Sequence, residues 1–444
     1  MANKKGINVY EFLLSIEDWH KIISTKLKTS KFKILRTSIG PLSEEQLGFM
    51  GDHLKLNATV HLHEEKKKLD LQFFAKSLPQ KNQTFYKYVE EIGAFVKETG
   101  FFSKILLDLN KYVIKDEADG VDGFSWTCEC YFTRPDIVVL EDLTVSGFKQ
   151  TVYRKPLDYN HCVLMLKTLA HFHASTIIYE EKEPKTSNVG KACSLLDKYK
   201  DIFFETEWVT TEGHPGNKFL KSSVKGMEAI VEYLPNFGRN HENFKLIHEK
   251  APEVSKMMCE VVKPSAKFRN VVCQGDLTTN NLFFRYGDDA ETPIEAKIID
   301  FQILRYNPPA SEVCWFLHLV TRRDFREKHL EEFLSIYYEC FSSILKRHKL
   351  DPEQLLPWSE FKESYEVYKN AGRLASAMYF QQSMMAGDYT AKVFSDPHHM
   401  AMFNTIDKSK YMIECYQDDP VFRERNTEAI EEFIENCVLK DWKF

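Results

Sequence analysis

Residues 271–302 read VVCQGDLTTNNLFFRYGDDAETPIEAKIIDFQ. Val271–Cys273, Leu282–Phe284 and Lys297–Ile299 are short apolar runs rich in β-branched and aromatic residues, which marks them as strands. The first two flank a turn rich in Gly and Asp, so the pattern predicts strand–turn–strand. The polar stretch Arg285 to Pro293 turns the chain again before AKIIDFQ. Asp276 precedes the second run, Asn281 abuts it, and Asp300 ends the third. A hairpin of these runs would bring the two carboxylates and the amide to one end. That set suits a hydroxyl acceptor plus oxygen ligands for Mg²⁺, a hard ion bound by few carboxylates and by substrate phosphates. Aspartates are ordinary turn residues as well, so it is the ordered set, not Asp276 alone, that points to chemistry.

The stretch resembles the phosphotransferase branch of the protein-kinase-like superfamily, whose pattern is H-G-D-x-x-x-x-N followed by D-F-Q or D-F-G. It is most similar to the insect ecdysteroid kinase-like family, whose version runs near HGDLWxNN…DFQ. Here the chain has Gln274-Gly275-Asp276, then Asn281, then Asp300-Phe301-Gln302. The resemblance implies Asp276 as catalytic acceptor and Asn281 and Asp300 as metal ligands. It also implies an α+β, two-lobed kinase-like fold. Its N-lobe, residues 1–145, would have an antiparallel sheet plus helix, and its larger C-lobe, residues 146–444, would be mainly helical. Two residues depart from the pattern: the family His is Gln274 and the family Trp is Thr278.

The length of 444 residues gives room for two lobes with ample core. A net charge of −6 gives no hint of nucleic acid, which normally needs a basic face. Ten cysteines are scattered without a CxxC pair, and Cys128 and Cys130 fall on one face of a strand, so reduced thiols are expected. The first residues, MANKKGINVYEFLL, lack the apolar core of a signal peptide, and no apolar stretch reads as long enough to span a bilayer. A cytoplasmic monomer, without nucleic-acid or membrane partners, is expected.

Residues 8–27 predict an amphipathic helix with Val9, Phe12, Leu13, Ile16, Trp19 and Ile23 on one face. Strand candidates follow at Phe32–Gly40, Ala58–His63 and Leu69–Leu78. Between the first two lie Gly48 and Gly51. In kinase-like folds a glycine loop there covers the nucleotide phosphates, but GxGxxG is absent, and a plain hairpin connection explains the glycines equally well. Lys76 ends the apolar run FFAK, an unusual place for a lysine without a partner. By the resemblance it would bind the nucleotide phosphates and pair with a glutamate on the next helix, Gln83–Lys97. Glu91 is the first choice there and Glu90 the competitor, one residue away on a different face. Phe124–Phe132 and Asp136–Leu143 predict two more strands. The second ends in LEDL, and the resemblance places adenine against the backbone of Glu141, Asp142 and Leu143. The lobe boundary is expected at about Leu143–Lys155.

Beyond it the chain reads as mostly helical. Asp158–Tyr179 is long and apolar-periodic and carries His171 and His173, which are two apart and poor joint metal ligands. A core or interhelix hydrogen-bonding role suits them better. After Gln302, PPASEVCWFLHLV predicts a helix. In the related pattern an aspartate near Glu312 braces the catalytic loop through backbone amides. Gln274 and Glu312 would thus support the site from behind. The aromatic and methionine residues of 325–444 read as helix core or as an apolar acceptor pocket. The expected function is an ATP- and Mg²⁺-dependent small-molecule O-kinase, with an ecdysteroid or another apolar alcohol implied as acceptor by the resemblance. The alternatives are a catalytically weak kinase-like binding protein and a choline- or amino-sugar-type kinase. An aromatic and carboxylate cage in the pocket would favour the last of these.

Overall fold

The computed structural model describes residues 9–43, 50–80, 83–112, 125–184, 194–394 and 396–444. Strands β1 (Phe32–Pro41), β2 (Asp52–Leu62), β3 (Lys67–Ser77), β4 (Cys130–Arg134) and β5 (Ile137–Glu141) form one antiparallel sheet in the order β1-β2-β3-β5-β4. Its two faces follow the period-2 alternation of the sequence. Phe73, Ala75, Ile137 and Val139 share a core with helix α1 (Ile16–Leu27). Leu78, Val138 and Leu140 point the other way, into the main core with Phe85, Val89 and Phe95. Lys76 therefore emerges from β3 on the inner face.

Helix α1 starts later than its periodicity suggests. Ser15 caps it, accepting from the Asp18 amide while Asp18 accepts from Ser15, a reciprocal capping box. Trp19, Ile22 and Ile23 are buried beneath the sheet, whereas Val9, Phe12 and Ile16 are exposed. Residues 83–97 are likewise not one helix. Gly93 takes φ +75° and breaks the run into α2 (Gln83–Ile92) and α3 (Ala94–Gly100). A β-carbon at Gly93 would meet the Phe204 ring at 2.6 Å.

The remainder is mainly helical, as expected, and the described residues form a two-lobed kinase-like fold. Helix Tyr159–Lys182 is capped by Asp158, whose carboxylate accepts from the His161 amide. By length and hydropathy alone this helix could cross a bilayer, contrary to the reading of the sequence. Most of it is buried inside the protein, as in a core helix.

Strand pairing in the central stretch also differs from the simple hairpin. Strand β6 (Val271–Cys273) pairs with β9 (Arg305–Asn307), and β7 (Leu282–Tyr286) pairs with β8 (Pro293–Ile298). The Gly–Asp turn thus joins two small ribbons rather than two strands of one. The reason is local: Thr279–Asn281 form a 3₁₀ turn, with the Asn281 amide donating to Thr278 O. The main core runs through both ribbons and the helices that follow.

Candidate active site

Four candidate site residues, Lys76, Asp276, Asn281 and Asp300, converge where the sheet faces the two ribbons. Lys76 Nζ donates to Asp300 Oδ1 at 2.9 Å and lies 3.2 Å from Glu98 Oε2. Glu98 is the helix partner of Lys76, and Glu91 is exposed. The break at Gly93 explains the correction, because it re-aims the chain so that α3, not α2, presents its carboxylate to β3. One ammonium cannot fully compensate two carboxylates, and Glu98 is the more deeply buried. Burial pushes it up to about 7 despite Lys76. Burial also pulls on Lys76, but Asp300 and Glu98 outweigh it and hold the ammonium charged.

Asp276 rests on Asn281, whose Nδ2 donates to Asp276 Oδ2 at 2.9 Å and to Asp276 O at 2.8 Å. Asp276 Oδ1 is buried and has no hydrogen-bond partner among the described residues. Burial raises this carboxyl to about 7, with the charges of Glu207 and Asp300 acting in the same direction. A carboxyl with one unpartnered oxygen and a raised hold on its proton is suited to take a hydroxyl proton.

Two further side chains hold the turn from behind. Gln274 is fully buried, and its Nε2 donates to Ile299 O at 2.9 Å and Asp300 O at 2.7 Å. Its Oε1 accepts from the Asp276 amide at 2.7 Å, so one side chain ties the two acidic segments together. Glu312 Oε1 accepts from the Gly275 amide at 2.8 Å. Its other oxygen meets His173 Nε2 at 2.7 Å, and His173 Nδ1 meets the Tyr337 hydroxyl at 2.8 Å. His173 thus has the interhelix role expected of it. Gly275 needs φ +88°, and a β-carbon there would lie 2.4 Å from Ile303 O. Asp300 itself sits at φ +63°, a strained setting for a non-glycine residue and one typical of functional sites.

Phe301 anchors this strained segment. Its ring stacks on Phe101 at 3.7 Å and meets Phe102, Phe172 and Trp126 at 5.8–6.2 Å. The Phe101–Ile105 turn that supplies two of these rings is a π-helix, a departure often found at functional sites.

Of the remaining nucleotide candidates, Gly51 packs against the lysine. A β-carbon there would meet Ser77 O at 2.9 Å and Lys76 Cγ at 3.3 Å. Gly48 lies outside the described residues. At the end of β5, Glu141 accepts from the Ser146 hydroxyl at 2.5 Å, and Asp142 accepts from Gln72 and Thr144. The side chains of the LEDL turn are therefore occupied in holding its shape. The Leu143 amide has no partner among the described residues.

Several functional candidates were not legible in the sequence. Arg305 Nε meets Glu205 Oε2 at 2.8 Å, Nη2 lies 3.4 Å from Glu207 Oε2, and Nη1 donates to Gly275 O at 3.1 Å. Tyr379 OH donates to Glu207 Oε2 at 2.7 Å. Lys97 Nζ donates to Leu304 O, and burial pushes it down to about 8. His53, opposite Lys76 in the β2–β3 register, is pushed down to about 4 by burial and by the lysine.

A two-lobed fold carrying this lysine, base, amide and metal-type carboxylate defines a kinase-like phosphotransferase. The chain belongs to the ecdysteroid kinase-like family, whose model matches residues 47–350. No curated protein matches it. Among solved structures it is similar to an ethanolamine kinase from Plasmodium vivax, at 12% identity over 96% of this chain and 92% of that one, with a TM-score of 0.33. A choline kinase from Cryptosporidium parvum matches at 13% identity over 95% and 97%, with a TM-score of 0.39.

Proposed function

We propose that the protein is an ATP- and Mg²⁺-dependent O-kinase that phosphorylates a hydroxyl of an apolar small molecule, such as an ecdysteroid or a xenobiotic alcohol. The observation that carries this reading is a set of three side-chain oxygens, on residues that neighbour one another, with no partner among the described residues. Asp276 Oδ1 is buried and unpartnered. Asn281 uses only its Nδ2 on Asp276, leaving its Oδ1 without a partner among the described residues. Asp300 uses Oδ1 on Lys76, leaving Oδ2 likewise. Two hard oxygens beside a lysine fit Mg²⁺. Asn281 and Asp300 would hold the ion, which when bound neutralises phosphate charge.

The protein's own groups divide the remaining work. Lys76, held by Glu98, presents a fixed positive charge to the phosphates. Asp276 Oδ1 takes the proton of the acceptor hydroxyl as its oxygen bonds to phosphorus and the nucleoside diphosphate leaves. Asn281 and Gln274 keep Asp276 in place, so little reorganisation is needed at the moment of transfer. Gln274 makes hydrogen bonds to both acidic segments, so its presence in place of the family His does not by itself point to a disabled kinase.

The test is a mass-spectrometric screen for phosphorylated products from a steroid and xenobiotic alcohol library. With an acceptor in hand, Asp276→Asn is expected to lower turnover by about 10²–10⁴-fold while leaving nucleotide binding largely intact. Full activity in that variant would overturn the assignment of Asp276.

A further inference from the structure

The peptide that joins Gly275 to Asp276 is held on both edges. Its N–H, on Asp276, donates to Gln274 Oε1 at 2.7 Å. Its carbonyl, on Gly275, accepts from Arg305 Nη1 at 3.1 Å, and no other donor reaches it among the described residues. The next peptide is fixed as well, because Asp276 O accepts from the Thr278 amide at 2.9 Å and from Asn281 Nδ2 at 2.8 Å. Glycine puts little steric restraint on its own ψ, so hydrogen bonds choose the plane of the Gly275–Asp276 peptide. Turning that plane would exchange its two edges, release Gln274 and re-aim the Asp276 side chain.

Arg305 is itself firmly seated. It opens β9 and pairs with Cys273 of β6, two residues before Gly275, and this register brings its guanidinium beside the turn. The residue is 5% exposed. Nε and Nη2 form a fork on Glu205, at 2.8 and 3.1 Å, and Nη2 lies 3.4 Å from Glu207 Oε2. Glu205 is held in turn by the amides of Glu207 and Trp208, which donate to its Oε1 at 2.9 and 3.2 Å. Cζ of Arg305 lies 5.2 Å from the centroid of the Trp315 ring. Lys97, wholly buried on α3, donates to Leu304 O at 2.8 Å and so ties the residue before Arg305 to the N-lobe. With the planar fork seated on Glu205, Nη1 is aimed at the Gly275 carbonyl in one orientation.

Charge balance alone does not require that bond. Glu205 and Glu207 are compensated by Arg305 and Lys97, and a lysine at position 305 would supply the same charge. A lysine has no rigid fork, so it cannot seat on Glu205 and hold Gly275 O in the same geometry. The third contact of the guanidinium is therefore the part that charge compensation leaves unexplained.

We propose that Arg305 is a positioning residue for phosphoryl transfer: through the Gly275 carbonyl it fixes the peptide plane that aims Asp276 Oδ1 at the acceptor hydroxyl. The inference rests on the kinase reading and adds to it a residue that acts through Asp276.

The test compares the full chain with Arg305→Lys, which keeps the buried charge, and with Glu205→Gln, which unseats one arm of the fork. The first readout is hydrogen exchange at single-amide resolution, without substrate. The Asp276 amide is expected to exchange about tenfold faster in both variants. The Phe284 amide of the neighbouring ribbon, bonded to Lys149 O, should be unchanged. Unchanged exchange at Asp276, or equal acceleration at both amides, would overturn the proposal. The second readout is steady-state MgATP hydrolysis, with water as acceptor. Arg305→Lys is expected to lower kcat by about 10²-fold and to leave KM for MgATP within about twofold. In an Asp276→Asn background the same substitution should cost nothing further, because both act on one group. A rise in KM with kcat kept, or a full second loss in the double variant, would place the action of Arg305 elsewhere and overturn its role. Absence of hydrolysis by the wild-type chain would instead strike the kinase reading, and hydrogen exchange would then decide the peptide lock by itself.

Discussion

At the scale of single residues, the site depends on which side chains keep their hydrogen bonds when charge moves. Gln274 is an amphoteric bonder with two amide donors and one acceptor, and all three are used. Gln274→Ala is expected to cost about 1–3 kcal/mol of stability and to lower turnover, because buried partners are left unpaired. Gln274→His should leave activity unchanged or modestly higher. Steady-state kinetics of the three proteins decide this, and activity confined to the His variant would mark the natural chain as a disabled kinase. Glu98 and Glu91 make a second comparison. Glu98→Gln should weaken MgATP binding by roughly tenfold, read as a smaller thermal shift, since it removes a charge-assisted contact to Lys76. Glu91→Gln, altering an exposed side chain, should change nothing. Lys76, Gln274, Asp276, Asn281 and Asp300 were legible because their order along the chain carries the pattern. Arg305 was not, because its partner Glu205 lies 100 residues away and no local signal links them.

At the scale of elements, glycine and the turns decide where those side chains point. Gly275 makes the catalytic turn possible through its positive φ and its approach to Ile303 O. Gly275→Ala is expected to destabilise the protein by about 1–3 kcal/mol from backbone strain alone, and to reduce activity further by displacing Asp276. Circular-dichroism melts and kinetics on the same sample would show both, and a variant with wild-type melting and turnover would refute the account. The strands of the sheet were readable from their alternation, and the long helices from their periodicity. The broken helix at Gly93 was not, since the apolar period continues through it and only the backbone turns. That break moved the lysine's partner from Glu91 to Glu98. The pairing of β6 with β9 was also hidden, because a three-residue strand carries no register information of its own.

At the scale of the whole molecule, buried ionisable groups set how stability varies with pH. Lys408 is fully buried, donates to Ser223 Oγ at 2.9 Å, and is pushed down to about 7 by burial. Its pKa is depressed on folding, so between about 7 and the ordinary lysine value the unfolded chain binds more protons. Stability contributed at this position is thus present at high pH and lost as pH falls toward 7. Lys408→Met should therefore stabilise the fold near pH 7, by about 1–3 kcal/mol once the lost Ser223 bond is set against it, and the gain should fade toward pH 10. Denaturant titrations at several pH values would show this, and a constant difference across the range would contradict it. The aromatic nest of Phe301 bears on control rather than on stability. Many kinases are silenced by swinging this phenylalanine out and carrying the metal-binding aspartate away with it. Here four rings from three separate parts of the chain close around it, and Phe301 is wholly buried. Extracting such a side chain costs on the order of 3–5 kcal/mol. At that cost the segment that carries Asp300 keeps one arrangement, so packing rather than a swinging phenylalanine fixes where its carboxylate stands.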